Sequence, residues 1–566
     1  MTHIKTNFAN PGCQNDRSKW VISFALLVVL VTTLPYLMGF EAQGENWRFT
    51  GFVFGVEDGN SYLAKMLRGS SGDWLFRTPY TAVNQPGAFF FLPYLLLGKL
   101  AAPPGLHEQL VALYHIFRIF GVILATAATY DFLALFLRGE ALRRWGVALV
   151  TLGGGLGWLL VLLGREHWLG SLPLDFFSPE TFGFLGTFGI AHLTWARAFL
   201  LWGLRAYLLH SEGGDGFPGL PFSRRLSGLP PGVLWLLTGF FQPLAMVVFG
   251  AVVGFHLIGL LGARSLPFLL PKDDNGIIII PYLSTAIWSG LVAFPFGLYV
   301  YLAFRLDPYL SAWMEQNVLP APHLLHYLLA YGLVLPLALG GAVCLARRGN
   351  ERGLFLITWA MCAPLLLTLP ISAQRRLLEG EWVALVGLAL VFIEAWPRIW
   401  RFGIMGLLTL SFLTSVLLVA GGMQVASLPA MPAFRPVEEV AAFQFIAERA
   451  TTKTVVLSSH ATGNALPAWT PVFVVIGHGP ESAEYASTAQ QVEAFYKMGI
   501  SNQERIDLLC QFGVDFVFWG PVERKLGEWD PSSVRYLSPV FRQGVYVVFQ
   551  VDLQRVEPQL QCDPAR

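Results

Sequence analysis

The sequence predicts a polytopic α-helical membrane protein of about eleven spans, followed by a C-terminal extracytoplasmic α/β domain. Three observations predict it. The chain of 566 residues is 54% hydrophobic and only 13% charged, where soluble globular proteins carry about 25% charged residues. Apolar runs of spanning length recur through the first three quarters of the chain. From about residue 433 the pattern changes to short β-branched or aromatic segments alternating with helical ones.

A span needs about 20 apolar residues to cross about 30 Å of hydrocarbon. Such runs fall near 20–40, 108–137, 145–164, 186–209, 231–241, 243–263, 281–304, 323–346, 353–370, 381–396 and 402–425. The first, Trp20–Phe40, has no small-residue cleavage site and reads as a retained anchor. Gln242-Pro243 separates two runs and reads as a tight outer turn, with one kinked helix as the rival. Placing residues 1–19 in the cytoplasm puts Arg138, Arg143, Arg144, Arg224, Arg225, Arg264, Lys272, Arg347, Arg348, Arg352, Arg398 and Arg401 inside. The short outer loops then hold only Arg165, Arg305 and the pair Arg375-Arg376, as the positive-inside rule asks. Pro86–Ala102 is short, contains Pro93 and precedes Pro103-Pro104. It reads as lying along the outer interface within a long first loop, 41–107. The domains are therefore 1–19, a transmembrane region 20–432 and a tail 433–566.

In the tail, Val437–Ala450 reads as an amphipathic helix. Thr454–Leu457, Val472–Ile476, Val514–Phe518 and Val545–Val551 read as strands. Ser501 with Glu504 forms a capping box that opens a further helix. A net charge of +1 gives no basic patch for nucleic acid. The five cysteines show no metal-ligand spacing. Cys344 and Cys362 sit in apolar runs, while Cys510 and Cys562 share the tail and could pair there.

Four features could carry chemistry. The adjacent Glu57 and Asp58 follow the first span and could act as a general base or hold a divalent cation, Mg or Mn. The bland alternative has Asp58 capping a helix from about Asn60 to Arg68 that Gly69 ends. The pair Arg375-Arg376, beside Gln374, runs against the charge bias of outer loops. It suits a lipid phosphate, which arginine binds bidentately, unless it pairs with Glu379 and Glu381 or merely snorkels. His115, Arg118, His192 and Arg197 lie inside spans, where ionisable groups need partners or line cavities. The tail loops Gly477–Glu481 and Gly520–Arg524 follow predicted strands, on the edge of an α/β sheet that usually takes ligands.

A first span, a long outer loop with an acidic pair, many further spans and an outer α/β tail together resemble the GT-C superfamily of polyprenyl-phosphate-dependent membrane glycosyltransferases. The similarity includes protein O-mannosyltransferases, aminoarabinose transferases and oligosaccharyltransferase catalytic subunits. The stretch Glu57-Asp-Gly-Asn-Ser-Tyr-Leu-Ala-Lys-Met66, with Trp74-Leu-Phe76, Pro79-Tyr-Thr81, Gln374-Arg375-Arg376 and Gly477–Glu481, is similar to a little-characterised bacterial branch.

The resemblance implies a hexosyl- or pentosyltransferase in the bacterial plasma membrane. It would take a polyprenyl-phosphate-linked sugar as donor, with membrane lipids around it and an acceptor the sequence leaves open. Asp58, or Glu57, would be the catalytic carboxylate. Arg375, Arg376 and Gln374 would hold the donor phosphate, and His192, Tyr62, Lys65 and His478 would line the cavity. Glu57-Asp58 departs from the spaced Asp-X-Asp of some members, and Gln85-Pro86 stands without the His-Pro-Pro of others. A transporter or flippase, or a non-catalytic scaffold, is the alternative class. It lacks support from internal repeats, which the sequence does not show.

Overall fold

A computed structural model describes residues 11–213, 220–265, 279–349 and 351–555. Lys272 and Cys562 lie outside them. The chain forms two compact units that interleave along the sequence. One comprises Met1–Leu34, Phe117–Tyr301 and Leu319–Gly421; the other comprises Pro35–Ile116, Leu302–Val318 and Gly422–Arg566.

Each apolar run falls on helix. Five helices are long and apolar enough to cross a membrane: Asn15–Ala42, Leu106–Leu133, Pro243–Ala263, Ile279–Leu306 and Arg398–Ser427. The pair Leu324–Tyr331 and Val334–Arg348, bent by 79°, makes a sixth if taken as one span. The other runs form shorter or more polar helices. Helix Ala191–Ser211 carries the buried Arg197 and Arg205. The run near 145–164 breaks at Gly153–Gly155 into Glu140–Leu152 and Gly157–Leu162. The break frees backbone donors that burial cannot leave unpaired. Asp175 Oδ2 takes them, accepting from Gly155 N at 3.0 Å and Gly157 N at 3.2 Å. At Gln242 the chain reverses: the Trp235 ring stacks on Phe249 at 4.7 Å, and its indole donates to the Met246 carbonyl. A continuous helix would hold residues 235 and 249 about 21 Å apart, so Pro231–Phe241 and Pro243–Ser265 form a hairpin. Within Pro86–Ala102 only Leu92–Gly98 is helical. Its seven residues rise about 10 Å, too short to span.

The second unit is built on a five-stranded sheet of order β4-β3-β5-β7-β6. Its strands are β3 (Val455–Leu457), β4 (Phe473–Val474), β5 (Phe516–Trp519), β6 (Leu537–Gln543) and β7 (Tyr546–Val551). β4, β3 and β5 run parallel, while β7 and β6 are antiparallel. Helices Val437–Ala447, His460–Trp469 and Asn502–Phe512 connect or flank them. Ser501 and Glu504 form the capping box, and Gly513 in the left-handed region (φ 59°) closes that helix. A two-stranded sheet ties the first loop to the tail: β1 (Trp47–Phe49) pairs antiparallel with β2 (Phe434–Pro436). Cys510 is disulfide-bonded; Cys344 and Cys362 are free.

Candidate functional site

The acidic pair belongs to helix Val56–Ser70, which starts four residues earlier than the sequence suggests. Gly55 is the N-cap, at φ 57°, a conformation glycine adopts without a Cβ penalty. Asp58 is therefore the third residue of the helix and not its cap, and Gly69 does not end it. Glu57 and Asp58 occupy the first turn, where unpaired amides and the helix dipole favour carboxylates. Most of this helix is buried, yet both acids face outward. At Gly59 a Cβ would overlap the Phe52 ring, so the backbone approaches that ring closely.

The Asp58 side chain is 54% exposed and its Oδ1 meets His478 Nε2 at 3.3 Å. His478 comes from the loop after β4, at the carboxyl edge of the parallel strands. Its Nδ1 stands 3.4 Å from Glu481 Oε1, within ion-pair distance though not aligned for a hydrogen bond. Glu481 is buried and accepts from Lys65 Nζ at 2.8 Å, Ser61 Oγ at 3.0 Å and Thr78 Oγ1 at 2.7 Å. Burial alone would raise its carboxyl. The Lys65 ammonium, His478 and the Thr78 hydroxyl outweigh burial and hold it below the usual glutamate value. Tyr309 donates to the Glu481 carbonyl at 2.9 Å, and Gln316 accepts from Tyr485 N at 2.7 Å. Helix Pro308–Gln316 thus clamps the same loop.

Two residues expected to line a cavity are packed inside instead. Lys65 is 1% exposed, with its ammonium 4.5 Å from the Phe91 ring centroid. Tyr62 is buried in a stack with Tyr94 and Tyr114. Both sit on the buried face of the helix, where an amphiphilic side chain is held by packing. Asn60 donates to Asn464 Oδ1 at 2.8 Å, and Asn464 donates to the Glu57 carbonyl at 3.3 Å. These bonds dock the acidic helix on helix His460–Trp469. Burial pushes the His460 imidazole down, and Glu57 partly opposes that.

The arginine pair belongs to the first unit, on a single 3₁₀ segment, Gln374–Leu378. Arg376 Nε lies 3.4 Å from Glu180. Arg375 packs its guanidinium 4.3 Å from the Phe177 ring centroid, and its Nε is buried without a hydrogen bond. Among the described residues Arg375 makes no ion pair. Neither arginine pairs with Glu379 or Glu381. Glu379 is taken by Arg197 at 2.8 Å, and Arg197 also reaches the Pro179 and Glu180 carbonyls. Gln374 pins the loop by accepting from Ala321 N and donating to the Leu369 carbonyl. His192 is half-buried as the second residue of its helix. His115 and Arg118 meet the Gly51 carbonyl and the Thr32, Thr33 and Thr187 oxygens respectively.

Among the described residues no three His, Cys, Asp or Glu stand close enough to hold a metal ion. Asp58 faces His478, and Glu481 is already neutralised by Lys65. The residues do not fit a preformed metal cage. Glu481, Thr78, Tyr309 and Glu180 were not picked out individually as site residues in the sequence, although Glu481 ends the tail loop read there.

No protein-family model and no curated protein sequence matches the chain. Solved structures do. The oligosaccharyltransferase of Archaeoglobus fulgidus, tethered with an acceptor peptide, aligns at TM-score 0.52 and 14% identity over 88% of this chain and 69% of its own. The archaeal oligosaccharyltransferase AglB from the same organism, in complex with an inhibitory peptide and a dolichol-phosphate, aligns at 0.51 and 13% over 95% and 75%. A weaker likeness, at 0.46 and 13% over 95% and 99%, links the chain to ArnT from Cupriavidus metallidurans bound to undecaprenyl phosphate. At TM-scores of 0.52 and 0.51 the fold of this chain is that of the archaeal oligosaccharyltransferase.

Proposed function

We propose that the chain transfers a sugar from a polyprenyl-phosphate carrier to an acceptor hydroxyl at the outer face of the membrane. The observation that carries this reading is Asp58, an exposed carboxylate on a buried helix, held from the tail by His478. AglB, with the same fold, binds dolichol-phosphate. About eleven spans and an outer tail fit the lysine and arginine distribution. The disulfide at Cys510 fits an oxidising compartment.

In the reaction, Asp58 accepts the proton of the acceptor hydroxyl and the freed oxygen attacks the anomeric carbon. The bond from that carbon to the phosphate oxygen breaks, and its electron pair leaves with the lipid phosphate. Arg375, which makes no ion pair among the described residues, stabilises the departing anion, with Arg376 beside it. A donor on a lipid also supplies activated sugar where nucleotide sugars are absent.

The test is Asp58→Asn in the purified full-length protein, supplied with labelled undecaprenyl-phosphate-linked hexoses and pentoses. Release of undecaprenyl phosphate is measured. Because Asp58 is not the cap, the substitution costs the helix only about 0.3–1 kcal/mol of dipole interaction, and the protein stays folded. Turnover is expected to fall about 10²–10⁴-fold, the usual share of a general base. A fully active Asp58→Asn protein overturns the assignment. An inactive Glu57→Gln beside it moves the role one residue earlier.

A further inference from the structure

We infer that His478 is the positioning residue of this base, an arm from the tail that fixes the Asp58 carboxylate; the inference rests on Asp58 being the base. An aspartate with about half its surface in water samples several rotamers, and each wrong one lowers the fraction poised for proton transfer. Here Asp58 Oδ1 is engaged by His478 Nε2 at 3.3 Å. The imidazole itself has little freedom. Its other nitrogen faces Glu481 at 3.4 Å, its side chain is 15% exposed, and the Tyr80 ring lies 5.4 Å from its own.

Behind it, Glu481 is fixed by Lys65, Ser61 and Thr78, all from the first loop. The loop bearing His478 is also pinned, because Gly477 N donates to Ser482 Oγ at 3.0 Å. A Cβ at Gly477 would lie 2.6 Å from the Tyr80 ring and would also strike the Gly463 backbone. Only glycine lets this loop press against the helix that docks the acidic segment. The line Asp58–His478–Glu481–Lys65 therefore starts and ends on one helix and passes through the tail. Residues 420 and 416 positions apart close it.

The consequence is specific. His478 donates a hydrogen bond and gives up no proton in the reaction, so its whole effect on rate runs through Asp58. Asparagine and glutamine separate its two contacts. The Asn amide falls near the Nδ1 position and keeps the approach to Glu481. The Gln amide reaches the Nε2 position and keeps the bond to Asp58.

The experiment uses full-length protein in micelles with the undecaprenyl-phosphate-linked sugar that the wild type turns over, under single-turnover conditions. His478→Asn and His478→Ala are expected to slow turnover about 10–100-fold with donor KM changed less than about 2-fold, and His478→Gln to recover most of the loss. His478→Ala added to Asp58→Asn is expected to cause no further loss, since two residues acting through one interaction are not additive. Equal activity of the Asn and Gln variants overturns the inference, as does multiplication of the two losses in the double variant. If alanine unfolds the tail, seen as loss of its thermal transition, the contrast between Asn and Gln decides alone. A fully active Asp58→Asn protein instead overturns the underlying reading, and the two failures are distinct.

Discussion

Replacing Lys65 by methionine tests whether the Glu481 hub is the electrostatic centre that joins the first loop to the tail. Methionine matches the lysine stem in length and removes only the ammonium. The pair is 2.8 Å apart, with side chains 1% and 5% exposed, so solvent screening is small. Removing one partner of a buried pair leaves an uncompensated charge and costs about 3–5 kcal/mol. Ser61 and Thr78 still donate to Glu481, which places the expectation toward the lower figure. The pH dependence gives a second check with a definite sign. In the wild type the carboxyl is held below its ordinary value, against burial, chiefly by Lys65. Its contribution is therefore present above the unfolded value of about 4.3 and is lost as pH falls through the folded value. In Lys65→Met burial goes unopposed by the ammonium, the carboxyl rises, and protonation relieves the buried charge. The deficit against wild type should be full at pH 7.5 and smaller at pH 5. Reversible unfolding of the full-length protein in mixed micelles, followed by tryptophan fluorescence, measures it. Adding Glu481→Gln should restore most of the loss, since the amide is uncharged, its oxygen keeps accepting from one of the two hydroxyls and its NH2 can donate to the other. A deficit below about 1 kcal/mol at pH 7.5, or one identical at the two pH values, refutes the reasoning.

Two further expectations concern the first unit. Arg375→Ala should weaken binding of undecaprenyl phosphate by about 1.5–3 kcal/mol, the worth of a hydrogen bond to a charged group. Arg376→Ala should weaken it less and also lower stability, because Glu180 loses its partner at 3.4 Å; equal affinity losses with unchanged stability count against this division. The Glu379 carboxyl is pushed up to about 7 by burial, against the pull of Arg197. A value raised above about 4.3 means the folded state loses stability as pH rises from about 4.3 to about 7, by up to about 3–4 kcal/mol. Glu379→Gln should flatten that slope between pH 5 and pH 8, and an unchanged slope in an unfolding titration removes Glu379 as its source.

What the sequence made legible follows from how local each signal is. The apolar runs all fall on helix, because an apolar stretch of that length is a signal carried by the segment itself. The Ser501–Glu504 box is three residues wide and reads directly. β6 was missed, since Leu537–Gln543 lacks clean alternation and contains Pro539, which sits at a register shift against β7. Asp58 looked like a cap because its type suits one. The actual cap is a glycine whose left-handed backbone no composition rule distinguishes from an ordinary turn.

The site separates into parts in the same way. Glu57 and Asp58 stand out as two adjacent carboxylates after a span. Lys65 and Tyr62 share their helix, but the sequence cannot say which face is buried when polar and aromatic residues alternate around it. The decisive partners are remote: Thr78, Glu481 and Tyr309 meet across 403 and 172 positions. Each alone is an unremarkable loop or helix residue. Their meaning depends on β1 pairing with β2, which brings Trp47–Phe49 against Phe434–Pro436 and makes the first loop and the tail one compact unit. A three-residue strand pairing carries too little side-chain pattern to predict a partner some 390 residues away. The chemistry of the acidic pair could therefore be proposed from its neighbours in sequence, while the arm that orients it appears only once that unit is folded.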